Sequence, residues 1–296
     1  IIGFGYRTNQ NTRPVMDITG GTFLVDDEFR FGDQRGATES PIHATINVYS
    51  GALIHTSTSA GMRMGGTRST GAANATLNIF GGTVDETTTI QMGRYGSTSY
   101  VNLNGGLLKT QNLTGDTGNE YLTFNGGTLQ PRAAGYTLNG LTAAYVSTNG
   151  AVIDTSLASY TIAQTLLHNP ALASLGDGGL LKLGTNVLSL TSTSNTFNGP
   201  VRVLEGQLSA RLGATNNLFV AASGVFNALG QRVTIGDLTG EGRLTNGTIA
   251  VTGRLDAGTN NAPAGARMTV ANLSLVKDMT FACRSEERRV GKECRS

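Results

Sequence analysis

The sequence has no tryptophan, two cysteines and six prolines among its 296 residues, and only 14% of the residues are charged. Six prolines are too few for a proline-rich linker. The small share of charge, together with 39% hydrophobic residues, argues against an acidic or basic disordered chain. No apolar run reaches the roughly 18 residues of a membrane-spanning helix. The 41 glycines follow no G-x-y period, which excludes collagen.

The residues that are abundant are glycine, threonine, asparagine and serine, with leucine, valine and isoleucine between them. This mixture is typical of many short strands joined by tight turns. The length allows one large domain or two ordinary ones.

The two ends of the chain differ from its body. The chain begins at Ile1 without an initiator methionine or a signal-peptide pattern, so we expect a processed chain, a truncated chain or a fragment. Residues 284–296, RSEERRVGKECRS, hold eight charged residues out of thirteen. A solvated tail and a basic patch for nucleic acid or a membrane are two interpretations. We favour a third, a non-native tail, because the thirteen residues resemble a translated sequencing adapter.

Without this tail the chain is electrically neutral. The tail holds five of the 22 Lys and Arg residues and three of the 20 Asp and Glu residues, which leaves 17 of each in residues 1–283. A neutral body offers no electrostatic footprint for nucleic acid, so we expect no nucleic-acid partner. Cys283 is the one cysteine outside the tail, so neither a disulfide framework nor a cysteine metal site is expected.

Internal repeats organise the body. One phrase, apolar-x-apolar-x-small-Gly-x-apolar, recurs at 16–23, 46–53, 77–84, 101–108 and 122–129. Its recurring glycines are Gly21, Gly51, Gly82, Gly106 and Gly127. A second phrase, apolar-x-apolar-Gly, lies between the copies at 29–32, 62–65 and 90–93. The alternation predicts strands that bury one face, and the glycines predict corners that need positive φ or close backbone approach.

Two architectures have short strands at such spacing. A β-sandwich or barrel is one. A solenoid is favoured because the copies resemble each other in sequence, the glycine corner keeps its place in the unit, and no two-residue hairpin spacing organises the chain. The sequence therefore predicts an all-β protein, a parallel β-helix or β-solenoid of short strands with Gly- and Asn-rich turns. At roughly 20–25 residues per coil we expect about a dozen rungs and a rod on the order of 60 Å.

The repeat pattern fades beyond about residue 131 and resumes after Gly178. We therefore expect a β-solenoid with Gly-Gly turns over 1–155, an irregular or short helical excursion over 156–177, and a second solenoid stretch over 178–283. The three segments are expected to form one continuous rod, with a lateral excursion in the middle.

Residues 178–210 read GGLLKLGTNVLSLTSTSNTFNGPVRVLEGQLSA. They contain a Lys-x-Gly step, a Leu-x-Leu strand, an Asn-Thr-aromatic-x-Gly turn and a strand ending x-Gly-x-Leu. The residues in these places are Lys182, Gly184, Leu188, Leu190, Asn195, Thr196, Phe197, Gly199, Gly206 and Leu208. The stretch resembles the autotransporter-associated β-strand repeat, from which Pro200 and Glu205 depart. The resemblance implies an exported passenger rod whose repeats aid secretion and present a surface.

Three residues form a candidate binding ladder. Arg30, Arg63 and Gln91 occupy the same place in the three copies of the second phrase. If the coils stack, these side chains form an outward polar row along which a polysaccharide or an anionic sugar can lie. An ordinary exposed surface is the alternative interpretation.

Other polar residues carry weaker signals. Asp26, Asp27 and Glu28 form an acidic cluster between two strands, which we interpret as a solvated turn, with Ca²⁺ binding as the alternative. The histidines, His43, His55 and His168, share no ligand spacing and are expected in turns or at the surface. The P-loop, H-E-x-x-H, G-x-S-x-G and G-x-G-x-x-G motifs are absent, so no catalytic residue, cofactor or metal site is predicted.

The sequence thus predicts a non-enzymatic stalk or passenger segment of an exported bacterial surface protein, supporting secretion and surface display or adhesion. The alternatives are a polysaccharide-processing β-helix enzyme, either a lyase or a glycosidase, and a non-catalytic carbohydrate-binding adhesin. The expected partners are a surface polysaccharide or a host or matrix component. The expected location is extracellular or at the cell surface, associated with the outer membrane only through segments outside this sequence.

Overall fold

Short strands with alternating burial form nearly all of the regular structure. The computed structural model describes residues 2–4, 13–32, 42–66, 73–258, 267–275 and 280–281, and the charged tail at 284–296 and Cys283 lie outside them. In the strand from Asn74 to Ile79, buried apolar residues alternate with partly exposed polar ones. This is the period of two that the repeat pattern predicts.

The described residues contain 29 strands. The first fifteen are β1 (Ile2–Phe4), β2 (Val15–Val25), β3 (Phe29–Phe31), β4 (His43–His55), β5 (Met62–Gly65), β6 (Asn74–Ile79), β7 (Thr83–Glu86), β8 (Thr89–Arg94), β9 (Thr98–Leu103), β10 (Leu107–Thr110), β11 (Asn112–Thr114), β12 (Asn119–Phe124), β13 (Thr128–Pro131), β14 (Thr137–Leu138) and β15 (Ala143–Val146). The others are β16 (Ala151–Asp154), β17 (Tyr160–Ile162), β18 (Leu166–His168), β19 (Leu180–Leu183), β20 (Val187–Leu190), β21 (Val201–Val203), β22 (Gly206–Ser209), β23 (Leu218–Val220), β24 (Gly224–Ile235), β25 (Leu238–Gly240), β26 (Arg243–Val251), β27 (Arg254–Ala257), β28 (Thr269–Leu275) and β29 (Thr280–Phe281).

The strands stack into three parallel ladders. The first ladder runs β2–β4–β6–β9–β12–β15–β18. The second ladder runs through twelve strands, β2–β4–β7–β10–β13–β16–β19–β21–β23–β25–β27–β29. The third ladder joins β1–β3–β5–β8–β11 to β14–β17–β20–β22–β24–β26–β28 through a parallel bridge between Thr114 and Asn139. The chain is therefore a parallel β-helix, as its sequence predicts.

The core consists of rows of apolar side chains that stack from coil to coil. In the second ladder Leu53, Val84, Leu108, Leu129 and Ile153 follow one another in register, and each is fully buried. Burying one such side chain contributes about 1.5–3 kcal/mol. Because each row is covered by the rows above and below it, a coil owes its stability to its neighbours.

The length of a coil varies more than the sequence predicts. Register partners in the second ladder are 31 residues apart between Leu53 and Val84, but 17 apart between Leu238 and Leu255. The expected range of 20–25 residues per coil is therefore too narrow. The twelve strands of this ladder agree with the expected dozen rungs, because insertions enter the turns between strands and leave the ladder intact.

The recurring glycines have the backbone conformation that the repeat predicts. Gly21, Gly51, Gly82 and Gly106 have φ between 60° and 74°. The fifth, Gly127, does not have positive φ, but a Cβ there would lie 2.5 Å from the carbonyl oxygen of Gly105. Both proposed reasons for glycine, positive φ and close backbone approach, are confirmed at these corners.

The segment 156–177, expected to be an irregular or short helical excursion, continues the ladders. It contains β17 and β18, which pair with β14, β15 and β20, and one 3-10 turn at Pro170–Leu172. The Oδ1 of Asn169 accepts a hydrogen bond from the N–H of Ala171 and begins that turn. The second and third ladders therefore cross from 1–155 into the second stretch, and the first ladder ends at β18.

The Lys-x-Gly step is a buried clasp. Lys182 points into the core between Ile153 and Val203, and its Nζ donates to the carbonyl oxygens of Leu183 (2.9 Å), Gly184 (2.6 Å) and Glu205 (3.0 Å). Burial lowers the pKa of Lys182 to about 8. The ammonium group thus joins a corner of one coil to the backbone of the next.

The Asn-Thr-aromatic-x-Gly turn extends the first ladder with side chains. The Oδ1 of Asn195 accepts from the N–H of Leu166 at 2.9 Å, and the Oγ1 of Thr196 accepts from the N–H of His168 at 3.1 Å. Phe197 is buried beside them, and a Cβ on Gly199 would lie 2.2 Å from the carbonyl oxygen of Asp177. Asn195, Thr196, Phe197 and Gly199 therefore each have a local structural role in this turn.

Candidate functional site

The predicted polar ladder is aligned along the third ladder. Arg30 of β3 pairs with Arg63 of β5, and Arg63 pairs with Gln91 of β8. Thr114 of β11 follows Gln91 in the same row. The three side chains point away from the core, because each lies between two buried apolar residues of its strand. Residues at equivalent positions of successive repeats are therefore neighbours in space, one rung apart.

One carboxylate forms ion pairs with two members of this row. The sequence pattern predicts that it lies in a solvated turn. Glu28 is 7% exposed, and its Oε2 and Oε1 form ion pairs with Arg30 and Arg63 respectively. The expectation of a solvated turn is wrong for Glu28, although Asp26 and Asp27 are exposed as expected. Since Glu28 is occupied by two arginines, the acidic cluster does not form a three-residue cation site, and no such group occurs elsewhere among the described residues.

Arg63 retains binding capacity despite this ion pair. Its Nε is buried and has no hydrogen-bond partner within the described part of the chain. Burial lowers the pKa of the Arg63 guanidinium, and the positive charge of nearby Arg94 lowers it further. The side chain is 25% exposed, so N–H groups at the end of the guanidinium, rather than the buried Nε, can donate to an anionic or carbonyl oxygen of a ligand.

A shallow pocket lies beside Arg63 and Gln91. Its volume is about 210 Å³, and it is lined by Thr58, Ser59, Ala60, Gly61, Arg63, Thr88, Thr89 and Gln91. The described lining offers hydroxyl, amide and guanidinium groups, which suit a ligand rich in hydroxyl or carboxylate oxygens. Arg30 lies outside this lining, on the preceding rung. The structure thus brings all three predicted residues into one row and two of them into one pocket.

One histidine that the sequence places in turns or at the surface is in the core. His55 is fully buried, and its Nδ1 lies 2.5 Å from the Oε2 of Glu86, which is also fully buried. His43, in contrast, is partly exposed and contacts the side chain of Asn74. His168 contacts the carboxylate of Asp177 at 2.9 Å. The missed signal is the alternation of β4, in which His55 lies two residues after the buried Leu53 and therefore on the same inward side.

None of the helical segments in the described ranges has the length and apolar character needed to cross a membrane. No family model, no curated protein and no solved structure matches this chain.

Proposed function

We propose that the chain is a stalk or passenger segment of an exported bacterial surface protein, supporting secretion and surface display or adhesion. The observation that carries the proposal is the second ladder, in which twelve strands pair in parallel from β2 to β29. Such a ladder transmits force along hydrogen bonds that are shared between successive coils. It would also keep any segments joined to its two ends at a fixed distance from each other.

Two further features support this function. The corners are held by polar clasps, such as Lys182 and the carboxylate of Asp177, which accepts from the N–H groups of Gly179, Asn198 and Gly199. Clasped corners resist the local opening that proteases require. The resemblance of residues 178–210 to the autotransporter-associated repeat supplies the exported, bacterial context.

Surface display tests the stalk proposal directly. The 296-residue chain is placed between an epitope and an outer-membrane anchor in a Gram-negative display host, and a linker with the same residues in scrambled order is the control. We expect antibody on intact cells to detect more epitope with the native order, and we expect the segment to survive external protease. Equal display and equal proteolysis for the two linkers would reject the proposal.

A carbohydrate-binding adhesin is the second candidate, because Arg63 and Gln91 share a hydroxyl-lined pocket. Replacing Glu28 by glutamine removes the negative charge that two arginines share, so we expect the affinity for a polyuronate to rise by up to about tenfold. Replacing Arg63 by glutamine is expected to abolish that binding. Affinity electrophoresis in polyuronate gels measures both effects, and Arg243→Gln, at an exposed arginine on another strand, is the control.

The same variants separate this candidate from a polysaccharide lyase or glycosidase. Those reactions need a carboxylate or another base beside the bound sugar, and Glu28 is a carboxylate that contacts the polar ladder. An enzyme that uses Glu28 would lose the release of reducing or unsaturated ends in Glu28→Gln. An adhesin would bind more tightly and release nothing. Polyuronate gels that retard neither the parent chain nor Glu28→Gln would exclude the binding function.

A further inference from the structure

The outward side of the first ladder carries a second polar surface, on the strands β4, β6, β9 and β12. Its twelve side chains form three rows of four. The row nearest the strand starts is Thr45, Thr76, Tyr100 and Tyr121; the middle row is Asn47, Asn78, Asn102 and Thr123; and the row at the corner is Tyr49, Phe80, Asn104 and Asn125. We call these twelve residues the amide-aromatic face. At about 4.8 Å per rung and 6.8 Å per alternate residue, it covers roughly 14 Å in each direction.

Two aromatic pairs project from this face. Tyr49 and Phe80 stack with ring centroids 5.0 Å apart and are 46% and 43% exposed. Tyr100 and Tyr121 stack with centroids 5.2 Å apart, and Tyr100 is 37% exposed. Each pair ends next to a shorter side chain in its own row, Asn104 beside Phe80 and Thr76 beside Tyr100. Each pair therefore forms a ledge where a flat, partly apolar ring can rest.

The middle row is a chain of amides with unused hydrogen-bonding capacity. The Nδ2 of Asn47 donates to Asp17, that of Asn78 donates to Asn47, and that of Asn102 donates to Asn78, each at 2.8 Å. Every amide nitrogen carries two N–H groups, and every amide oxygen has two lone pairs. The chain thus fixes the orientation of the three amides and leaves each of them at least one N–H group and one lone pair for a ligand.

The face carries no charge. None of its twelve residues is ionisable at neutral pH, and the carboxylate of Asp17 lies one rung beyond its end. An acidic polymer would find no cation here, and a basic one would find a single carboxylate. Oriented amides beside exposed aromatic rings suit a ligand with many hydroxyl groups and apolar C–H surfaces.

We infer that the amide-aromatic face binds a neutral polysaccharide. The ring ledges receive the C–H surfaces of pyranose rings, and the amide row exchanges hydrogen bonds with their hydroxyl groups. This function goes beyond the stalk, and it uses a surface separate from the arginines of the third ladder. It gives the rod an adhesive side along four successive rungs.

Affinity electrophoresis of the full 296-residue chain tests the inference, with native gels that contain hydroxyethylcellulose, dextran, galactomannan or a polyuronate. We expect at least one of the three neutral polymers to retard the chain. Two double variants each replace one aromatic pair with the other residue type of its row. Tyr100→Thr with Tyr121→Thr makes the first row all threonine, and Tyr49→Asn with Phe80→Asn makes the corner row all asparagine. Each is expected to weaken binding about tenfold, because each removes one aromatic pair.

Tyr136→Thr is the matched control, because Tyr136 is also 37% exposed but lies outside the face. Circular dichroism and surface display of the double variants are expected to match the parent chain, which separates a failure of binding from a failure of the stalk. Retardation by the polyuronate alone, or equal losses in Tyr136→Thr and the double variants, would overturn the inference. So would a concentration-dependent dimer that the double variants abolish, because the face would then join two copies of the chain.

Discussion

Replacing Gly106 by alanine is expected to lower the free energy of unfolding by about 3 kcal/mol or more. Gly106 has φ of 60° at the corner between β9 and β10. A Cβ there would lie 2.6 Å from the carbonyl oxygens of both Gly81 and Gly82 in the preceding coil. The oxygen of Gly82 accepts a hydrogen bond from the N–H of Leu107, so the clash cannot be relieved without separating the coils.

Gly96→Ala is the matched control for this variant. Gly96 lies in the same coil and has φ of 77°, but a Cβ there would have no heavy atom within 4 Å. Only the backbone strain applies, so we expect a loss of about 1–2 kcal/mol. Urea unfolding, followed by circular dichroism, measures the two changes side by side. Equal losses would mean that close approach between coils does not explain the glycine at this corner.

These corners show why much of the fold could be predicted from the sequence. In a solenoid, moving along the sequence by one repeat moves the chain by one rung, so equal positions in the repeat become spatial neighbours. Alignment of the copies of the second phrase therefore predicts that Arg30, Arg63 and Gln91 lie in one row, and their register confirms it. Alignment of the first phrase likewise predicts that Gly51, Gly82 and Gly106 are stacked corners.

The parts that could not be predicted depend on turns and on contacts between different rows. Glu28 lies just before β3, and only the turn geometry decides that its carboxylate folds back onto Arg30 and Arg63. In the coil after β18, the side chains of Asn195 and Thr196 accept hydrogen bonds from Leu166 and His168 that a strand would otherwise accept. The alternation of apolar and polar residues along a strand does not reveal where side chains replace backbone hydrogen-bonding groups.

The amide-aromatic face was missed for a different reason. Its tyrosines look scattered along the sequence, because Tyr49 and Phe80 belong to one row while Tyr100 and Tyr121 belong to another. Only the register of β4, β6, β9 and β12 shows that the two pairs flank a single row of amides. Assigning each residue to a row by its position in the repeat would have identified the two aromatic pairs.

Replacing Glu86 by alanine is expected to lower the free energy of unfolding by about 3–5 kcal/mol, because it removes one partner of a buried ion pair. His55 and Glu86 are both fully buried. The Nε2 of His55 lies 2.6 Å from the carbonyl oxygen of Asp27, which can only accept. Glu86 also accepts from the N–H groups of Met62 (3.2 Å) and Thr88 (2.8 Å), as a carboxylate does. Both partners of the ring are acceptors, so the imidazolium, in which both ring nitrogens donate, is the form of His55 that this site favours.

This charge state makes stability depend on pH. Burial lowers the pKa of His55, but the hydrogen bond and charge of Glu86, with the contribution of Asp27, raise the pKa overall above 6.5. A raised pKa means that the folded state binds the proton more tightly than the unfolded state. The stabilisation that His55 contributes is therefore fully present below about pH 6.5, and it is lost as the pH rises through the pKa of His55 in the folded state. We expect the urea midpoint to fall over this interval.

Glu86→Gln tests the origin of that decline, because it keeps the shape of the side chain and removes its charge. With the carboxylate gone, burial is no longer opposed by Glu86, so the fall in the urea midpoint above pH 6.5 is expected to shrink. Lys182 has the opposite effect: its pKa is lowered to about 8, so its contribution is present above its unfolded pKa of 10.5 and is lost as the pH falls through 8. The lower part of the interval between pH 6.5 and 8, where Lys182 is still mostly charged, therefore reports mainly on His55. An unchanged decline in Glu86→Gln would assign it to another group.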